Sequence, residues 1–169
     1  MDFKINMRVI LLLFLSLSLY AAEDIGGFWK TIDDKTGVAQ SVIAIYKHQG
    51  LYYGRIIGSY DEKGQMKDSI YHPISRSPGL PGNPFYSGLD IIWFLADRGS
   101  KFRGKILDPE HGDVYNSELW IDNGNLVVRG KLLMFGRSQV WVATAPVDFP
   151  KDFKMPDLTA MVPSIPQYK

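Results

Sequence analysis

The sequence predicts an all-β protein in which eight antiparallel strands form a meander that closes into a barrel. From Gly27 onward, short runs rich in β-branched and aromatic residues alternate with Gly, Pro, Asn and Asp. No long segment of this part shows the 3.6-residue hydrophobic period of a helix. A closed meander has no exposed edge strands, and a barrel of this size holds either packed side chains or one small ligand.

Each predicted strand is followed by residues that favour a turn or loop. The strands are expected at residues 27–32, 39–47, 51–59, 90–96, 101–107, 114–121, 126–132 and 137–144. The links His48-Gln49-Gly50 and Asp122-Asn123-Gly124-Asn125 supply residues that tolerate a positive φ, as short hairpin turns require. Successive hairpins predict that strands adjacent in sequence are also adjacent in the sheet.

Two segments depart from this strand pattern. The connection 60–88 carries four prolines and no run that favours a strand, and loops of this length usually have a function or are disordered. The segment from Ala145 onward holds five of the ten prolines of the chain, together with apolar residues such as Phe149 and Phe153. We therefore expect residues 145–169 to form an extended apolar tail that packs on the barrel or caps one of its ends.

The first 22 residues have the pattern of a secretory signal peptide. Lys4 and Arg8 precede an apolar stretch, interrupted only by serine, from Val9 to Leu19. That stretch is shorter than the ~20 apolar residues of a membrane-spanning helix. The sequence thus predicts a signal peptide over 1–22, a barrel domain over 23–144 and the tail over 145–169. We expect the protein to be periplasmic or secreted, with no stable membrane insertion after signal cleavage.

Composition excludes several classes of function. The chain contains no cysteine, which rules out disulfides, thiolate metal sites and a cysteine nucleophile. Without residues 1–22 it carries 17 basic and 17 acidic residues. Such a balance provides no strong field for phosphates, and we expect no nucleic-acid partner.

The motif search indicates no catalytic residue, metal or cofactor. There is no Gly-x-Ser-x-Gly elbow, no His-Glu-x-x-His pair and no glycine-rich phosphate or dinucleotide loop. The three histidines fall in predicted turns or in the long connection: His48, His72 and His111. The acidic segment from Asp108 lacks the glycine and the final acid of a calcium loop. We expect a tight turn there, with Pro109 at its first corner and Gly112 in a left-handed conformation.

Two arginines stand inside apolar strand patterns, where an unpaired charge is costly. Arg129 and Arg137 could pair with acids such as Glu118 or stack on aromatic rings as structural elements. Alternatively, they could point into a water-filled cavity and hold an anionic group of a ligand. In the last strand, alternation places Arg137 on one face with Gln139 and Trp141, which fits either a polar interior or a polar exterior.

Three consecutive motifs resemble a family of small exported bacterial proteins, the domain of unknown function 2147. They read Gly-x-Ile-x-Asp-Pro-x-x-Gly-x-x-Tyr, then Leu-x-Val-Arg-Gly, then Gly-Arg-x-Gln-x-Trp. The matching residues are Gly104, Ile106, Asp108, Pro109, Gly112, Tyr115, Leu126, Val128, Arg129, Gly130, Gly136, Arg137, Gln139 and Trp141. Gly27-Phe28-Trp29 also has the form of the lipocalin Gly-x-Trp signature. The resemblance implies a lipocalin-like or calycin-like barrel with one ligand cavity, and no established activity.

The leading hypothesis is an exported, monomeric, non-enzymatic barrel that binds a small amphipathic or hydrophobic molecule in its interior. The expected ligand-binding residues are Trp93, Tyr115, Arg129, Gln139 and Trp141. The aromatic residues would supply apolar contact, Arg129 would meet an anionic head, and Gln139 would orient it by hydrogen bonds. The alternative is an envelope interaction module that uses the proline-rich loop and the tail. Enzyme activity is a distant third hypothesis.

Overall fold

A computed structural model describes residues 23–33, 35–131 and 137–168, and it confirms the predicted all-β fold. The strands are β1 (Gly27–Ile32), β2 (Ala39–His48), β3 (Leu51–Tyr60), β4 (Met66–Ser69), β5 (Asp90–Asp97), β6 (Phe102–Asp108), β7 (Asp113–Asp122), β8 (Asn125–Lys131) and β9 (Arg137–Ala143). A short 3₁₀ turn follows at Pro146–Asp148. The predicted signal peptide, residues 1–22, lies outside the described residues.

The eight predicted strands form a closed antiparallel barrel. Strands adjacent in this ring pair antiparallel, and β1 closes it by pairing with β9 as well as β2. The short strand β4 is an addition, since we predicted no strand in the connection 60–88. It pairs with β3 at Gly58–Tyr60, beyond the part of β3 that pairs with β5. Among the described residues, no helix is long and apolar enough to cross a membrane.

Two of the hairpins have the predicted turn chemistry. Gln49 and Gly50 have φ values of 48° and 83°, and Asn123 and Gly124 have 50° and 77°. Positive φ at both central residues is the mark of a type I′ turn, whose twist matches that of the flanking strands. These turns fix the register, and hence which side chains face the barrel interior.

One end of the barrel is filled by side chains. We call it the closed end, where the β2–β3 and β7–β8 hairpins lie. Inward-facing residues of the core meet there: Trp29, Ile45, Tyr52, Phe102, Leu119 and Leu126. Ile25, two residues before β1 begins, is fully buried and accepts a 3.0 Å hydrogen bond from Trp29 Nε1 through its carbonyl. The chain entering β1 therefore seals this end.

The C-terminal tail packs on the outside of the barrel. Outward-facing residues of β2 and β3, including Val42 and Ile57, are fully buried there. Phe149 and Phe153 of the tail pack against this outer cluster. Lys30 of β1 also forms a 2.7 Å ion pair with Asp148. The sheet beneath the tail is thus covered on both faces, and its strands are apolar on both.

A buried carboxylate joins the tail to the sheet. Asp90 is fully buried and accepts hydrogen bonds from the Tyr46 hydroxyl at 2.9 Å and from the Arg55 guanidinium at 2.8 and 2.9 Å. The backbone N–H of Ser164 donates to the same carboxylate. Arg55 also donates to the carbonyl of Val162 at 2.7 Å. Because both oxygens of Asp90 accept hydrogen bonds and Arg55 supplies the opposite charge, this buried carboxylate is well satisfied.

The long connection is held against the opposite end, which we call the open end. There Gly79 lies directly against the β6–β7 turn, and a Cβ at this position would be 2.5 Å from the backbone nitrogen of Gly112. The hydroxyl of Ser77, fully buried, donates to the carbonyl of Pro109. Leu80 belongs to the hydrophobic core. This connection is therefore a packed part of the open end.

Candidate functional site

The open end contains a cavity of about 520 Å³ inside the barrel. Its apolar wall is formed by side chains from five strands: Ile43, Ile56, Ile106, Val128 and Trp141. Polar side chains share the lining: Thr31, Gln40, Ser41, Tyr115 and Gln139. A volume of several hundred Å³, with mostly apolar walls and a few polar groups, is typical of a small-molecule site.

The register explains why these residues meet. Ile43 opposes Ile56 across β2 and β3, and Val128 opposes Gln139 across β8 and β9. Since alternate residues of a strand face the same side, Gln139 and Trp141 of β9 both face the cavity. Gly130 also lines the cavity, and its missing side chain leaves space beside Ile106.

Gln139 is the polar group best placed to orient a ligand. Its side-chain oxygen accepts a 3.2 Å hydrogen bond from Trp141 Nε1, which satisfies the buried indole. The amide nitrogen of Gln139 makes no hydrogen bond to any described residue. A half-buried amide nitrogen on an apolar wall, without an acceptor among the described residues, can donate to a carbonyl or hydroxyl oxygen of a ligand.

The β6–β7 turn lies at the mouth of the cavity and confirms the predicted tight turn. Asp108 Oδ1 accepts from the backbone nitrogens of Glu110 and His111 at 2.9 and 3.3 Å. Gly112 has φ of 82° and donates its backbone N–H to the Asp108 carbonyl at 2.8 Å. The Asp108 carboxylate also contacts His111 Nδ1 at 2.8 Å, and this hydrogen bond raises the pKa of His111. Within the described ranges, no three His, Asp or Glu side chains are grouped so that they could hold a metal ion.

A second cavity, of about 690 Å³, adjoins the mouth on the side of the β1–β2 link. It shares five lining residues with the interior cavity: Gln40, Ser41, Ile56, Tyr86 and Glu110. Its own lining includes the acidic residues Asp33, Asp61 and Glu62. Hydrogen bonds from the backbone and side chain of Thr36 lower the pKa of Asp33. The described surroundings of the mouth are thus mainly acidic.

Three of the five predicted site residues come together in the interior cavity. Tyr115, Gln139 and Trp141 all line it. Tyr115 directs its hydroxyl to Asp113 Oδ2 at 3.3 Å, towards the open end. Their placement follows from strand alternation, because each occupies an inward-facing position. Whether they contact a ligand remains a prediction.

Trp93 does not face the cavity, contrary to our expectation. Its neighbour Ile92 opposes Gly54 and Ile106 on the inward face, so Trp93 projects to the outside. There Trp93 is 2% exposed and stacks on the ring of Tyr168 in the tail, with ring centroids 5.6 Å apart. Trp93 is buried because the tail covers it.

Arg129 also lies on the outer face, away from the expected anionic head of a ligand. It opposes Glu118 on β7 and Ser138 on β9, and its Nε donates to the Ser138 hydroxyl at 3.1 Å. This placement agrees with the structural explanation and not with the cavity explanation for Arg129. Arg137 opposes Gly130 in the register, and its side chain lies outside the described part of the structure.

Sequence reasoning missed most of the apolar wall. Ile43 lies in a run, Val42 to Tyr46, that is buried on both faces, so its alternation carries no inward signal. Tyr86 reaches the cavity from the long connection, which has no strand period at all. A signal did exist for Val128 and Ile106, because both stand in the motifs that carry the family resemblance.

Fold and cavity together define a lipocalin-like β-barrel with an interior cavity. The structure is similar to that of HP1028 from the human pathogen Helicobacter pylori, described as belonging to the lipocalin family. The TM-score is 0.57 and the identity 15%, and the match covers 74% of this chain and 86% of that chain. Residues 27–143 match the family described as "Uncharacterized protein conserved in bacteria (DUF2147)", and the chain belongs to this family. A search of curated proteins gives no match.

Proposed function

We propose that this protein binds a small amphipathic or hydrophobic molecule in the interior cavity at the open end of the barrel. The observation that carries this proposal is the cavity of about 520 Å³, whose lining is apolar towards the closed end and polar near the mouth. The closed end is filled by side chains, so a ligand would enter through the open end. The lipocalin-like fold supports the same function.

The cavity wall assigns parts to individual residues. Ile43, Val128 and Trp141 would contact the apolar body of the ligand, and the Gln139 amide would donate to its polar end. The carboxylates of Asp108 and Glu110 stand at the mouth, where they would repel an anionic head. We therefore propose that the polar end of the ligand is neutral. This replaces the anionic head that Arg129 was expected to contact.

We further propose that binding takes place outside the cytoplasm and that the role is carriage or sequestration, with no catalytic step. Support for export comes from the charged and apolar pattern of residues 1–22. The alternative function, an interaction module, has less support. Apolar residues of the tail such as Phe149, Phe153 and Leu158 are already packed on the barrel.

Filling the cavity tests the proposal. Gly130→Phe would place a ring in the interior, because among the described residues the Cβ position meets only an ordinary 3.6 Å contact with Ile106. The matched control is Val140→Phe, which adds the same ring at a 48% exposed position of the neighbouring strand. The probe is N-phenyl-1-naphthylamine, whose fluorescence rises in an apolar site.

We expect Gly130→Phe to weaken probe binding by about tenfold or more, because the ring occupies the space the probe needs, and Val140→Phe to leave it unchanged. Circular dichroism confirms that both variants are folded. Competition by decanol, decanoate and decylamine then tests the neutral polar group, and decanol should displace the probe best. Equal weakening by both variants, or no probe binding to the wild type, would contradict the proposal.

A further inference from the structure

The second cavity, of about 690 Å³, continues the interior cavity beyond its mouth, and we call it the outer chamber. The walls of the two cavities have five residues in common: Gln40, Ser41, Ile56, Tyr86 and Glu110. A molecule that extends out of the interior past these residues therefore enters the outer chamber. Its volume of several hundred Å³ is enough for a further part of a small ligand.

The wall formed by β2 and β3 changes from apolar to polar between the two cavities. Ile43 opposes Ile56 in the interior, and two residues away along β2, Ser41 opposes Ser59 at the outer chamber. Strand β3 has one extra residue between these two pairs, Ile57, and this bulge brings Ser59 opposite Ser41. The wall thus suits a hydrocarbon in the interior and hydrogen-bonding groups in the outer chamber.

Four hydroxyl groups that line the outer chamber have no hydrogen-bond partner among the described residues. They belong to residues that are all half-buried: Ser41, Ser59, Ser75 and Tyr86. A hydroxyl group both donates and accepts, so together they offer several donors and acceptors to a ligand.

The charged residues of the outer chamber do not define a site for a cation. Asp33 Oδ1 and Asp61 Oδ1 already accept hydrogen bonds from backbone nitrogens of their own turns. Glu62 and Glu110 are exposed, so solvent screens their charges, and Lys67 lines the same chamber. The half-buried groups that are left without partners are therefore neutral hydroxyls, which match hydroxyl groups of a ligand.

We propose that the outer chamber binds the head of the ligand whose apolar body fills the interior, and that this head is a neutral, hydroxyl-rich group such as a sugar ring. The inference rests on the proposed function, which places the apolar body in the interior cavity. Hydroxyl groups of the head exchange hydrogen bonds with Ser41, Ser59 and Ser75, and the Tyr86 ring offers an apolar face to the sugar. The oxygen that joins head and body still accepts from the Gln139 amide. The ligand class is thus an alkyl glycoside or a similar amphiphile.

Displacement of N-phenyl-1-naphthylamine from the full chain by octanol, octyl glucoside and octylamine tests the inference, with each ligand below its critical micelle concentration. Octyl glucoside should displace the probe at about a tenfold lower concentration than octanol, because the apolar body is the same and only the sugar reaches the free hydroxyls. Equal displacement by these two would refute the inference and leave the proposed function intact. Stronger displacement by octylamine than by octyl glucoside would overturn it in favour of a cation site. Absence of probe binding would overturn both proposals.

The double variant Ser59→Ala with Tyr86→Phe removes two of the free hydroxyls and keeps the ring at the boundary. It should weaken the binding of octyl glucoside by about tenfold and that of octanol by less than about twofold. The matched control, Ser164→Ala with Tyr168→Phe, removes the same two groups from exposed positions of the tail and should change neither affinity. Wild-type affinity of the double variant for octyl glucoside would overturn the inference, as would an equal loss for octanol. If the double variant does not fold, the wild-type comparison of octanol with octyl glucoside decides alone.

Discussion

Replacing Trp93 by alanine should reduce stability and leave the interior cavity intact. Trp93 is 2% exposed and lies on the outer face of β5, under the tail. Removing a buried tryptophan side chain costs about 3–5 kcal/mol, and the lost stack on Tyr168 accounts for about 0.5–1.5 kcal/mol of it. Since small domains are stable by about 5–15 kcal/mol, Trp93→Ala should be folded but much less stable.

Urea unfolding followed by circular dichroism measures this loss, with an unchanged m value showing that the cooperative unit is the same. Tyr168→Ala is the companion variant. Because Tyr168 is 48% exposed, it should lose only about 0.5–1.5 kcal/mol. Folded Trp93→Ala should bind N-phenyl-1-naphthylamine with wild-type affinity. A variant of wild-type stability with lost probe binding would refute the outward placement of Trp93.

Three further predictions concern the turn, its histidine and the tail. Gly112→Ala should lower the free energy of unfolding by about 2 kcal/mol or more, because the φ of Gly112 is 82° and an added Cβ would meet the carbonyl of Gly79. An unchanged urea midpoint would contradict this prediction. The hydrogen bond with Asp108 raises the pKa of His111 above 6.5. The contact therefore stabilises the folded state fully below about pH 6.5, and this stabilisation is lost as the pH rises through the pKa that His111 has in the folded protein. In an NMR titration, Asp108→Asn should bring that pKa down towards 6.5, and an unmoved value would argue against the pairing. Ending the chain after Thr144 should cost at least about 3 kcal/mol, since it uncovers the outer cluster, and wild-type stability would show that the tail is not part of the fold.

The strands of the barrel could be predicted because each depends on local signals. Runs of β-branched and aromatic residues end at turn residues such as Asn123 and Gly124, whose φ values are positive as type I′ turns require. Strand β4 was missed because Met-Lys-Asp-Ser contains no β-branched or aromatic residue. It forms because the end of β3 provides a pairing edge, which is information that lies outside the segment itself.

The direction in which side chains face was predicted less well, and the tail is the physical reason. Alternation reveals the inward face only where the outer face is polar. On β9, where Ser138 and Val140 are exposed, Gln139 and Trp141 were assigned to one face correctly. On β5, by contrast, the tail buries the outward Trp93 as deeply as the inward Ile92, so hydrophobicity cannot separate the two faces.

Occupation of the barrel interior is the central claim, and intermolecular NOEs between a bound apolar probe and assigned methyl groups test it most directly. With N-phenyl-1-naphthylamine bound to the full chain, we predict NOEs from the probe to the methyls of Ile43, Ile56 and Val128, all of which line the cavity. The exposed methyls of Val140 and Val147 serve as the outer reference. NOEs to these outer methyls, with none to the three in the wall, would contradict the assignment of the barrel interior as the binding site.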